Sequence, residues 1–355
     1  MWQVRGQDKI LALLDRSLKE HSIAHSYLLV GPRHVGKGTL ALNLAQALNC
    51  DAPQPPCGQC HSCRLILEGK HADVITLSLG SKTEIDRDDI REPNRKVEIG
   101  RDDIGELQHL AHLPPYQGRC KIFIIEDADY MSTEAANRLL KILEEPPPKI
   151  VWLLLAVEES RLLPTVISRC QRLELSPIPL EQIQGILTDC YRVESDKAKL
   201  LARLCHGCLG WALSALADDS LLHQRSQKID QLTSLLTGNL EQRFAYARDL
   251  ATQFSQDRRA VMETMEFWLS WWRDLMLIKG SCKEAIINID YEVALRRQAK
   301  KLTLSKIKDF ITILCSTKED ISRNVNARLA FESLMLNLPR KIPSPDLSLE
   351  GRGIR

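Results

Sequence analysis

Two groups of residues in this chain of 355 have the types and spacing that chemistry requires. The first is Gly31-Pro-Arg-His-Val-Gly36-Lys37-Gly38-Thr39, set between an apolar run ending at Val30 and a segment, Leu40 to Leu48, of helical period. Strand, glycine-bearing loop and helix in that order let backbone N–H groups point at phosphate oxygens while the lysine reaches the terminal phosphates. The template G-x-x-x-x-G-K-[ST] is filled except at its last position, where Gly38 stands in place of the hydroxyl that holds Mg²⁺ and Thr39 comes one residue late. The loop can therefore hold a nucleotide, ATP or ADP, while the metal chemistry that makes an NTPase is in doubt.

The second group is Cys50 followed by Cys57-Gly-Gln-Cys60-His-Ser-Cys63. Two linked C-x-x-C steps and one thiolate upstream can supply the closed S₄ shell that structural Zn²⁺ prefers, with no position left open for catalysis. Packed free thiols are the competing reading. Reduced cysteines fit the compartment: the N-terminus is polar, no apolar run approaches a membrane span, and a cytoplasmic location is expected. The formal charge of +2 argues against strong polyanion affinity for the molecule as a whole, while a local basic face stays open.

These groups need elements to position them. Residues 3–20 read as an amphipathic helix and Ser26–Val30 as the first strand. His71–Leu77, Cys120–Ile125, Ile150–Ala156 and Gln171–Leu175 read as further strands, the middle two uninterrupted and apolar as in a parallel sheet buried on both faces. Glu126-Asp127 close the Cys120–Ile125 strand, where a P-loop fold keeps one acid for Mg²⁺ and one to activate water. The usual Asp-Glu order is reversed here, which shifts each carboxylate by a methylene. Ser132 to Pro148 is a capped helix with a proline stop. Glu84-Ile-Asp-Arg-Asp-Asp-Ile90 nearly repeats as Glu98-Ile-Gly-Arg-Asp-Asp-Ile104; the first copy reads as a solvated insertion and the second as the start of a helix through Leu113. Strands alternate with helices to residue 176, and Pro177 and Pro179 mark a boundary. Residues 177–220 form a small helical unit and 221–340 a longer one, in which Phe267, Trp268, Trp271 and Trp272 are expected to pack in the interior. Residues 341–355 read as a disordered tail.

Taken as an ordered set, His25-Ser-Tyr-Leu-Leu before the loop, the four cysteines after its helix, Ala135-Ala-Asn-Arg-Leu-Leu-Lys-Ile-Leu-Glu-Glu-Pro146 and Ser168-Arg169-Cys170 resemble the clamp-loader family of bacterial DNA polymerase III. The resemblance spans roughly residues 2–216 and implies an α/β P-loop AAA+ domain (1–176, parallel sheet, zinc module at 50–63), a helical lid domain (177–220) and an all-α collar domain (221–340). Two kinds of subunit share that plan in the family: gamma or tau motors that hydrolyse ATP, and the delta prime stator, whose nucleotide site is usually degraded. Four departures point to the stator: Gly38; the inverted Glu126-Asp127 pair; Ala156-Val157-Glu158 in place of a Thr-bearing sensor; and Gly210-Trp211 where a lid arginine would touch the γ-phosphate. Arg169 is intact, and the resemblance implies that it reaches a neighbour's ATP site in trans, as an arginine finger.

The implied partners are the gamma/tau and delta subunits, the sliding clamp and, through the complex, primed DNA, with no membrane. The chain itself is expected to lack ATPase and polymerase activity. Two other readings compete. One is a divergent gamma/tau-type ATPase motor; the other is a zinc-stabilised nucleic-acid-binding protein, against which the near-neutral charge speaks.

Overall fold

The structure, a computed structural model, describes residues 2–79, 98–323 and 325–339. The first acidic copy at 84–90 and the tail at 341–355 lie outside the described residues. Two compact units are present, Met1–Val193 with Cys205–Leu213, and Glu194–Leu204 with Ser214–Arg355.

The first unit runs α1 (Asp8–Lys19), β1 (Ser26–Val30), α2 (Lys37–Asn49), α3 (His61–Leu67), β2 (Val74–Leu77), α4 (Arg101–Ala111), β3 (Lys121–Ile125), α5 (Thr133–Glu144), β4 (Ile150–Ala156), α6 (Pro164–Ile167), β5 (Gln171–Glu174) and α7 (Leu180–Asp189). The strands form one sheet in the order β2-β3-β4-β1-β5, and every pairing is parallel. Parallel neighbours need crossovers, and the helices that supply them cover both faces. That is why β1, β3 and β4 carry buried residues at every position.

Successive side chains in those strands serve two cores. Leu28, Phe123, Ile125, Trp152 and Leu154 pack on one face; Tyr27, Leu29, Ile122, Ile124 and Leu153 pack on the other. Phe123 and Trp152 lie opposite each other in register and stack with ring centroids 4.3 Å apart. The strand expected at His71 starts three residues later, because the Asp73 carboxylate is occupied with a neighbouring turn. It accepts from the backbone N–H groups of Tyr116 at 2.7 Å, Gln117 at 2.8 Å and Gly118 at 2.7 Å. Burial alone would raise the pKa of Asp73, but these donors outweigh it and hold the carboxyl below its ordinary value.

Helix ends follow local chemistry. Ser132 caps α5 by accepting from Ala135 N–H at 3.1 Å, and the helix stops ahead of Pro146-Pro147-Pro148. The second acidic copy supplies the start of α4, where Gly100 N–H donates to Asp103 Oδ2 at 2.8 Å.

The second unit is helical. It holds α8 (Ser195–Leu204), the later residues of α9 (Leu209–Ala217), α10 (Ser220–Thr237), α11 (Leu240–Gln256), α12 (Arg258–Lys279), α13 (Glu292–Lys301), α14 (Leu304–Ser322) and α15 (Ala327–Asn337). Trp268, Trp271 and Trp272 of α12 are buried in its core with Leu232, Phe310 and Phe331, so the tryptophans pack the interior and are not available to grip a base. Arg243 is also buried there and donates to Leu235 O at 3.0 Å and Leu338 O at 2.6 Å, which spreads its charge over carbonyls at the ends of α10 and α15. Among the described residues, no helix is long and apolar enough to cross a membrane.

Candidate functional site

The phosphate loop leaves the C-terminal end of β1 and enters α2 at Lys37. Gly31 has φ +154°, and a Cβ there would lie 2.5 Å from Leu175 O, so only glycine lets the loop pass the end of β5. Gly31 N–H donates to Ala156 O at 3.2 Å, which fixes the loop beside the end of β4. Glu126 and Asp127 follow β3 on the far side of β4. The sheet order thus brings the loop, both acids and residues 156–158 to one edge.

The contacts at that edge are made within the chain. Lys37 Nζ donates to Gly31 O at 2.6 Å and to Pro32 O at 2.8 Å. Burial pushes its pKa down to about 8, Arg33 adds to the shift, and Asp129 and Asp127 oppose it. Arg33 of the same loop pairs with Asp127 at 3.4 Å, and both side chains are largely buried. Asp127 is therefore turned toward the protein's own guanidinium, with its backbone in the left-handed region at φ +51°.

Gly38 tests the missing hydroxyl directly. A Cβ at this position would have Glu126 Oε1 as its nearest neighbour, at 3.8 Å. A Ser or Thr side chain would project toward the acid with which it shares Mg²⁺ in the complete template. Gly38→Ser is thus expected to fold normally and to gain roughly 0.5 kcal/mol from helix propensity. ATP turnover should stay negligible, because Asp127 remains tied to Arg33. Thermal melting and a phosphate-release assay check the two parts.

Gly210 carries the most restrictive of the four departures. Its N–H donates to His34 O at 3.0 Å, and an added Cβ would approach that oxygen to 2.7 Å. An arginine here would have to displace the backbone of the phosphate loop. At the end of β4, Ala156 offers no hydroxyl, and Glu158 is engaged by Arg161 at 2.7 Å.

Sequence reasoning missed Arg33, His34 and Asp129. The loop template leaves its middle positions unspecified, so nothing marked Arg33 or His34. Asp129 had a signal, as the third acid of Glu126-Asp127-Ala-Asp129. It is buried, one carboxylate oxygen accepts from Glu158 N–H at 3.3 Å, the other has no hydrogen-bond partner among the described residues, and burial raises its pKa.

Arg169 stands elsewhere. Its backbone carbonyl accepts from Ser26 Oγ at 2.7 Å, which places it at the N-terminal ends of β1 and β5. β1 separates Ser26 from Gly31, a span of about 16 Å at about 3.3 Å per residue. Its guanidinium pairs with Glu144 at 2.6 Å and donates to Thr165 O at 3.0 Å, and the side chain keeps about a third of its surface exposed.

The four cysteines converge as expected. Cys50 follows the end of α2, Cys60 caps α3 and Cys63 lies in its first turn. Their sulfurs all lie within 4.8 Å of one another, and the pairs Cys57–Cys63 and Cys50–Cys60 are each 3.9 Å apart. Four sulfurs at about 2.3 Å from a tetrahedral Zn²⁺ would be separated by about 3.8 Å. Backbone N–H groups of Gln59 and Cys60 point at Cys57 Sγ and pull its pKa down to about 6, toward the thiolate form that ligates metal, whereas burial raises the pKa of Cys50 and pushes that of Cys63 up to about 12. Donor type, number and spacing all suit zinc.

Family comparisons cover most of the chain. Residues 6–179 match the model described as DNA polymerase III, delta subunit, and residues 219–340 the one described as DNA polymerase III, delta subunit, C terminal. DNA polymerase III subunit tau of Escherichia coli (strain K12) is 34% identical over 67% of this chain and 36% of its own length. DNA polymerase III subunit delta' of Bacillus subtilis (strain 168) is 27% identical over 94% of this chain and 96% of that one. Among solved structures, a DNA polymerase III gamma subunit-related protein from Thermotoga maritima is similar at 19% identity and a TM-score of 0.46, over 94% of this chain and 99% of that one. This chain spans 36% to 48% of the length of the tau and tau/gamma relatives from Escherichia coli and Haemophilus influenzae.

Proposed function

Given that this chain belongs to the clamp-loader family of DNA polymerase III subunits, we propose that it is the delta prime stator: it completes the ring and supplies Arg169 in trans to the ATP site of a neighbouring gamma/tau motor. The observation that carries this reading is the position of Arg169. It lies at the sheet edge opposite the chain's own phosphate loop, about a third exposed and paired with the partly exposed Glu144, too far to act on a nucleotide at that loop and on a surface that another subunit can reach. A guanidinium so placed stabilises charge on a phosphoryl group in transfer without needing chemistry from its own subunit.

The chain's own loop has a retained scaffold and a disabled centre. Lys37 is spent on loop carbonyls, Asp127 on Arg33, and the Mg²⁺ hydroxyl is absent at Gly38. Nucleotide binds there weakly or not at all. Cys50, Cys57, Cys60 and Cys63 hold Zn²⁺, which ties the end of α2 to α3 and takes no part in catalysis. The AAA+ domain, the lid and the collar occupy 1–176, 177–220 and 221–340. The complex that results opens the sliding clamp and places it on primed DNA.

A gamma/tau-type motor is the second reading, favoured by the higher identity to the Escherichia coli tau subunit. Reconstitution separates the two. Mixed with cognate gamma/tau and delta subunits, the chain is expected to enter a single ring complex on size exclusion and to raise its DNA-dependent ATPase. A chain that assembles only with itself, or that is left out of the ring, would refute the stator role.

A further inference from the structure

The end of α13 and the start of α14 carry a concentration of charge that neither the phosphate loop, the cysteine cluster nor Arg169 explains. Residues 293–308 contain Arg296, Arg297, Lys300, Lys301, Lys306 and Lys308 and no Asp or Glu, in a chain whose formal charge is only +2. Arg296 pairs with Glu292. The other five are exposed and have no ion pair among the described residues. Arg297, Lys300 and Lys301 lie three and four residues apart on one helix, so they stand side by side on its surface. Only Leu302 and Thr303 separate the two helices, which keeps Lys306 and Lys308 close to that row.

Helix stability does not account for this arrangement. Lys300 and Lys301 complement the dipole at the end of α13, but Lys306 sits in the first turn of α14, where the dipole favours an acid. Like charges left unneutralised repel one another at a cost, which a polyanion would remove. We propose that this basic edge of the helical unit is a docking surface for the phosphate backbone of nucleic acid, reading charge and not sequence. The choice of DNA over other polyanions rests on the clamp-loader reading above.

The packing argues against a lipid surface. Leu295, Ala299 and Leu302 of α13 are buried in the core of the unit, which leaves Val293 and Leu304 as the large exposed apolar side chains of this stretch, eleven residues apart and short of the continuous apolar face that an interfacial helix inserts between lipids. Contacts of this kind release counterions, so affinity falls linearly on a log–log plot against salt.

Fluorescence anisotropy of a labelled single-stranded oligonucleotide, titrated with the full-length chain between about 50 and 200 mM salt, tests the proposal. The wild type is expected to bind weakly and with steep salt dependence. The triple variant Arg297→Glu, Lys300→Glu, Lys301→Glu should lose at least about 30-fold in affinity at the lowest salt and about two units of slope, at about 0.7 per phosphate contact. A control with the same change in net charge, Lys197→Glu, Lys199→Glu, Arg248→Glu, also alters exposed residues of the second unit and should change affinity less than threefold. If the charge-reversed triple melts early, the three single alanine variants replace it, each expected to reduce the slope by somewhat less than one unit.

Equal losses in patch and control variants, or no measurable binding by the wild type, would overturn the proposal. So would binding to phosphatidylserine vesicles with none to DNA, or to an acidic peptide alone. Ring assembly and ATPase bear on the stator reading by themselves, so a failure there is distinguishable from a failure of this surface.

Discussion

If the chain is the stator proposed above, Arg169→Ala is expected to lower ATP turnover at the neighbouring motor site of the assembled complex by on the order of 10³-fold. The ring itself should remain intact. The pair that Arg169 forms with Glu144 is partly solvent-exposed on both sides, and such pairs contribute about 0–1 kcal/mol, so the variant folds and docks. Arg169→Lys should restore little, because an ammonium keeps the charge and loses the planar fork that fits a phosphoryl group. Steady-state ATPase of the reconstituted complex with primed DNA and clamp, alongside size exclusion of the same sample, gives both readings. Unchanged turnover with an intact ring would show that the finger lies elsewhere. A lost ring would assign Arg169 to assembly.

The second large effect concerns the cysteines. Metal analysis of purified chain is expected to find one zinc per molecule. Cys63→Ser, or prolonged chelation, should remove it and destabilise the first unit by on the order of 4 kcal/mol or more. Zinc held by these four thiols would tie Cys50 to Cys57, Cys60 and Cys63, and the order of residues 50–63 would then depend on it. Gln46 limits the damage, since its amide donates to Cys63 O at 2.8 Å and is itself held by Asn43 at 3.0 Å. The module should therefore loosen while the sheet persists, which appears as an earlier melting transition with most of the helical signal retained. A chain with no zinc whose melting is indifferent to chelator would show the four thiols to be packing groups.

Much of this was legible in the chain itself. The apolar runs of β1, β3 and β4 are unbroken because parallel strands are buried on both faces, and that pattern survives without any knowledge of their neighbours. The phosphate loop is legible because phosphate binding fixes glycine and lysine at set spacings, and the cysteines because a tetrahedral shell does the same. Contacts between distant residues were not legible. Arg33 occupies a position the loop template leaves free, and its partner Asp127 is brought to it by the placement of β4 between β1 and β3. Gly210 looked like a simple loss of arginine; only the 2.7 Å approach to His34 O shows that the loop backbone itself excludes a side chain there. β2 was placed too early because apolar alternation says nothing of Asp73, whose carboxylate is claimed by a turn more than forty residues away.

Those long-range contacts bear on the glycine-lysine loop as a candidate nucleotide site. Gly38 alone would leave a loop that a single substitution could repair. The Arg33–Asp127 pair and the close packing of Gly210 on His34 are separate obstacles, in separate segments, and repair of one leaves the others in place.

The central claim, that this chain's catalytic contribution is made to another subunit and not at its own loop, is tested most directly by Mg²⁺-dependent ATP hydrolysis by the purified chain alone. No turnover above background is expected, with or without DNA. Sustained hydrolysis that disappears in Lys37→Ala would contradict the claim and make the protein a motor in its own right.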